Sequence, residues 1–117
     1  MEIRGRRYEA VQGILTHEGT TPAVIIPGIT GKTLYLNYIL LSISEISSVA
    51  SVGELRDGSA GTAFWSQEVI TYSQYIPTSY MLNFGEYGFA LTEGNGLFAY
   101  TSSVNFDYTV TALGYYK

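Results

Sequence analysis

Gly31-Lys32-Thr33-Leu34-Tyr35-Leu36-Asn37-Tyr38-Ile39-Leu40-Leu41-Ser42-Ile43 is the longest apolar run in a chain of 117 residues. Gly28 and Gly31 punctuate its start, and it is rich in β-branched and aromatic residues. Two periodicities compete here. Ile39, Ile43, Ile46 and Ala50 stand at helical spacing and allow an amphipathic helix. Ser42, Ser44, Ser47, Ser48 and Ser51 oppose it, because serine competes with the helical backbone and β-branched side chains lose rotamer freedom in a helix. The run therefore reads as a long central strand, followed by a turn near residues 44–48 and a second strand over 49–56. Strict alternation turns Leu34, Leu36, Tyr38 and Leu40 toward a core. The other face, Tyr35, Asn37, Ile39 and Leu41, is too apolar for open water and is expected to lie under another subunit or a loop.

Outward from this strand the chain is a succession of short extended segments and turns. Residues 8–15 alternate loosely and predict a short edge strand. His17-Glu18-Gly19 predicts a turn, and residues 20–26 a strand whose start, at Pro22, lacks a ladder donor. Asp57-Gly58-Ser59-Ala60-Gly61 is a turn signal, since Asp-Gly suits positive φ. Strands follow over 62–72 and 80–84, separated by a loop around Pro77. Gly85-Glu86-Tyr87-Gly88 and Glu93-Gly94-Asn95-Gly96 are further turns, with a short extended piece at 89–91 between them. Residues 97–101 lead into Val104-x-Phe106-x-Tyr108-x-Val110-x-Ala112, a clean period of two. The total is about eight strands, and no helix is expected. That pattern predicts an all-β fold: an antiparallel, jelly-roll-like β-sandwich spanning residues 8–117 as one domain. Residues 1–7, with Arg4, Arg6 and Arg7, read as a flexible basic arm, a candidate for docking on an acidic neighbour.

Composition narrows the function classes. Charged residues are only 14 %, against eleven tyrosines, and the net charge of −4 disfavours a general nucleic-acid binder. No membrane span is expected, because the apolar run is about half the length of one. There is no cysteine, so neither a disulfide nor a thiolate metal site is available. No cofactor or catalytic signature is present. His17 is the sole histidine and cannot build a typical zinc set. Gly31-Lys32-Thr33 has Ile26 where a phosphate loop has its first glycine. Glu86 and Glu93 could be paired as hydrolytic carboxylates, but they equally suit turns. The aromatic side chains Trp65, Tyr72, Tyr75, Tyr80 and Tyr87 cluster around predicted loops, and such rings serve sugar binding or protein docking.

The order of these motifs carries a resemblance. A strand opening Gly31-Lys32-x-Leu34-x-Leu36 comes first, then Leu55-Arg56-Asp57-Gly58-Ser59-Ala60-Gly61-Thr62. Leu91-Thr92-Glu93-Gly94-Asn95-Gly96-Leu97 follows, and the last strand ends Val110-Thr111-Ala112-Leu113-Gly114-Tyr115-Tyr116. Over residues 10–117 this resembles small β-sandwich structural proteins of tailed bacteriophages: head decoration, head fibre and tail accessory proteins. The resemblance implies a non-enzymatic virion component, assembled in the host cytoplasm and often trimeric. It implies partners in copies of itself and in major capsid or tail proteins, and no catalytic residues. The tyrosine-rich segment 66–80 and the arginine-rich start depart from the class. On this reading Tyr35, Asn37, Ile39, Leu41, Trp65, Tyr72, Tyr75 and Tyr80 are the candidate interface, and Arg4, Arg6 and Arg7 the candidate docking arm. The competing expectation is a carbohydrate- or receptor-binding module built on the exposed aromatic residues.

Overall fold

The computed structural model describes residues 2–3, 6–7, 9–17, 20–45, 51–69, 78–102 and 107–117. All regular structure among them is β. The strands are β1 (Glu2–Ile3), β2 (Arg6–Arg7), β3 (Glu9–His17), β4 (Ala23–Ile26), β5 (Leu34–Glu45), β6 (Ser51–Asp57), β7 (Ala63–Val69), β8 (Thr78–Asn83), β9 (Phe89–Ala90), β10 (Leu97–Thr101) and β11 (Asp107–Tyr116). β1 and β2 pair with each other as a separate two-stranded ribbon.

The other nine strands form two antiparallel sheets. The first has the order β3-β11-β5-β8, with β9 continuing the β8 edge along β5; the second has the order β4-β10-β6-β7. Setting aside the two-residue β9, the eight long strands pair first with last, second with seventh, third with sixth and fourth with fifth. That is a long hairpin rolled up on itself, the jelly-roll arrangement that the strand count suggested. The core lies between the sheets, with Leu34, Leu36, Ile39, Leu41, Val110 and Ala112 from the first facing Ile26, Leu55, Leu97 and Ala99 from the second.

The turns explain why these segments end where they do. Gly31 adopts φ +81, and the Lys32 N–H donates to the Ile29 carbonyl, closing the turn that launches β5. Thr33 and Lys117 exchange backbone hydrogen bonds and extend the β5–β11 ladder beyond its assigned strands.

The facing of β5 differs from strict alternation. Leu113 of β11 stands opposite Tyr38, but Gly114 stands opposite Leu36, so Asn37 is an extra residue and β5 carries a β-bulge there. Before the bulge Leu34 and Leu36 point inward. After it the sides exchange: Ile39 and Leu41 are buried at 0 % and 1 % exposure, while Tyr38 and Leu40 turn to the outer face. The expectation that Tyr38 and Leu40 line the core is therefore corrected. The bulge is held locally. The Asn37 side-chain amide donates to the Gly85 and Glu86 carbonyls, both at 2.9 Å, and the Phe84 N–H donates to the Asn37 carbonyl at 2.8 Å. Opposite it, a Cβ on Gly114 would stand 2.3 Å from the Tyr35 carbonyl oxygen, so that position of β11 requires glycine.

Candidate interaction surface

The outer face of the first sheet follows from the register. Across β3, β11, β5 and β8 the residues align in rows: Gln12–Leu113–Tyr38–Asn83, Ile14–Thr111–Leu40–Met81 and Thr16–Thr109–Ser42–Ser79. None of these three rows of four contains a charged residue. In the last row, hydroxyls approach across strands, Thr16 to Thr109 at 3.3 Å and Ser42 to Ser79 at 3.4 Å. The middle row and its neighbour hold large apolar groups in the open, with Ile14 66 %, Met81 63 % and Leu113 43 % exposed.

One end of this face is closed. The next row contains Tyr115 and Tyr35, whose rings stack 5.0 Å apart at an interplanar angle of 6°. The Tyr115 hydroxyl donates to the Tyr87 carbonyl at 2.7 Å, and Tyr115 is buried although its side chain points away from the core. The turn of residues 84–88 therefore sits over this end of the sheet as a ledge.

The outer face of the second sheet is different. Arg56 Nε donates to Glu54 Oε1 at 2.9 Å, and the Arg56 guanidinium lies 3.9 Å above the Tyr100 ring. That face presents a fixed ion pair over an aromatic ring rather than a neutral plane.

Several expected interface residues lie elsewhere. Ile39 and Leu41 are in the core, because the Asn37 bulge turns them inward, and they are not available to a partner. Asn37 spends its amide on the 84–88 turn, and Tyr35 stacks on Tyr115. Trp65 is half-buried against the core, and its ring meets Tyr80 edge-on at 5.6 Å, so these two side chains bridge β7 of one sheet and β8 of the other. Phe64, Phe84 and Phe89 form a second aromatic group beside them, with centroids 5.1 and 5.4 Å apart. Tyr72, Tyr75 and Arg4 lie outside the described residues, as do the turn at 46–48, the loop around Pro77 and residues 104–106. Arg6 and Arg7 form β2 and stand opposite Ile3 and Glu2.

The chemical candidates do not converge. His17 is the last residue of β3, opposite Tyr108, rather than part of a turn. Glu86 and Glu93 are both exposed, each in its own turn. Among the described residues no group of His, Asp and Glu is placed to hold a metal ion. The exposed apolar residues Ile14, Met81 and Leu113 are absent from the sequence-based candidates. Ile14 and Leu113 carry a sequence signal in the polar neighbours of β3 and β11, but Met81 and Leu40 depend on the bulge.

No family model matches the chain, and no curated protein matches it in sequence. A solved structure from Bacillus endospore appendages, described as a novel family of disulfide-linked pili, is similar at 13 % identity. The match covers 98 % of this chain and 95 % of that one, with a TM-score of 0.49. At that identity and score the likeness carries no inference about what this chain does. Nor does this chain contain a cysteine.

Proposed function

We propose that the chain is a non-enzymatic structural protein that works by self-association, as an accessory component of a tailed-bacteriophage virion on the capsid or tail. The observation that carries self-association is the neutral outer face of the first sheet, where Ile14, Met81 and Leu113 stand exposed with no charge in the three rows around them. The virion assignment is supported by the motif order described above, implied by that resemblance to be trimeric. Two of those motifs, around residues 55–62 and 91–97, are joined through Asp57, whose carboxylate accepts from Thr92 and Asn95. A jelly roll hosts capsid and lectin domains alike, so the fold does not choose between them. The engagement of Trp65 with the core and Tyr80 counts against the sugar-binding alternative, which needs that ring free.

Native mass spectrometry and sedimentation of the full chain test the proposal, together with a protein inventory of purified particles. The expected result is a mass above one chain, three chains if the trimer holds, and the protein present on particles. A chain that stays single at high micromolar concentration and is missing from particles overturns it.

A further inference from the structure

We infer that the open face of the first sheet is where two copies of this chain meet, face to face about a twofold axis lying along the middle row. The inference rests on the self-association reading and adds the surface and its symmetry. Three observations carry it.

The first is charge. Each copy has a net charge of −4 and repels another overall. The three open rows hold no Asp, Glu, Lys, Arg or His, so two copies approach through them without like charges opposed. The second sheet's outer face, with Arg56 and Glu54 on it, has no such property.

The second is shape. A twofold contact brings the same patch onto itself, so the patch must be self-complementary. An axis along the middle row sets β5 and β11 over their own copies with the rows reversed. Leu113 and Tyr38 then lie over the small Thr109 and Ser42 of the second copy, and Ile14 and Met81 each meet their own counterparts. The alternative axis, along the strands, would bring the two 84–88 ledges over the same Tyr35–Tyr115 row. The middle-row axis puts the two ledges at opposite ends of the contact.

The third is area. Four strands by three rows span about 19 by 20 Å in projection. That projection, roughly 380 Å², is about half of the ~800 Å² per partner of a standard interface. The contact is therefore a weak, concentration-dependent dimer.

The test is sedimentation and native mass of the full chain from micromolar to millimolar concentration, for the wild type, Ile14→Lys, Met81→Lys and an Ala60→Lys control on an exposed turn. Thermal melting monitored by circular dichroism checks that each variant folds. Association is expected to weaken about tenfold or more in the two face variants and to be unchanged in the control. Ile14→Cys supplies a second readout, since no other thiol is present. Facing sheets stand about 10 Å apart, too far for a direct disulfide, so a short bis-maleimide is used and is expected to join two Ile14→Cys chains. An assembly that survives both lysines overturns this face and leaves the self-association reading standing. A wild type that is single throughout overturns both. A dimer in which Ile14→Cys does not cross-link, or an assembly of three chains, overturns the twofold arrangement.

Discussion

Asp57 shows how one side chain can hold two turns together. Its Oδ2 accepts from the Thr92 N–H at 2.9 Å and from the Thr92 hydroxyl at 2.7 Å, and its Oδ1 accepts from the Asn95 amide at 3.0 Å. The neighbouring Gly58, at φ +85, donates its N–H to the Gly96 carbonyl at 2.9 Å. Gly28 lies against the same loop, where a Cβ would stand 2.1 Å from the Gly94 carbonyl oxygen. Hydrogen bonds to a charged acceptor are stronger than neutral ones, and removing the acceptor strands several donors at once. Asp57→Ala is expected to lower stability by about 1–3 kcal/mol in urea unfolding. Asp57→Asn, which keeps the shape and one acceptor oxygen, costs less. The Asp57-Gly58 turn is legible from its dipeptide, but its partner loop, some 35 residues on, is not.

The decisive departure within a strand is Asn37. A single extra residue reverses the side on which the side chains from Tyr38 to Ser42 fall, because the side-chain period of a strand is two. Ile39→Ala is expected to cost about 2–5 kcal/mol, since it opens a cavity in the core. Leu40→Ala, one residue along, is expected to cost about 1 kcal/mol or less. Chemical denaturation of the two variants checks the facing directly, and the reverse order of costs would mean an unbroken alternation. Nothing in the run 31–43 announces the bulge by itself. Its determinants, Gly85 and Glu86 as acceptors and Gly114 as the residue without a Cβ, lie far away in sequence.

Two different closures hold the rolled hairpin shut. At the β3–β4 edge the sheets come so close that a Cβ on Gly13 would stand 2.2 Å from the Ile25 carbonyl oxygen. At the β7–β8 edge they are bridged by side chains instead, Trp65 on Tyr80 and Phe64 on Phe89. Trp65→Ala is expected to lower stability by about 2–4 kcal/mol, short of a fully buried tryptophan because this one is half-buried. Thermal and denaturant unfolding of the variant measure it. A melting curve left unchanged would mean that the aromatic bridge does not support that edge. The role of these rings in joining sheets explains why Trp65 and Tyr80, which read in sequence as loop-borne and available, are engaged inside the fold.

The all-β class, the near-count of strands and the turns at 57–61, 85–88 and 93–96 were determined by the sequence alone. Each is a local matter: period-two alternation, β-branched and aromatic enrichment, and glycine or asparagine where positive φ is needed. Only the tertiary structure decided which face of β5 is buried, that Trp65 closes an edge, and that Ile14, Leu113, Leu40 and Met81 share one neutral surface. Those outcomes depend on register between strands distant in sequence, and a one-residue bulge is enough to change which side chains meet the core and which meet a partner.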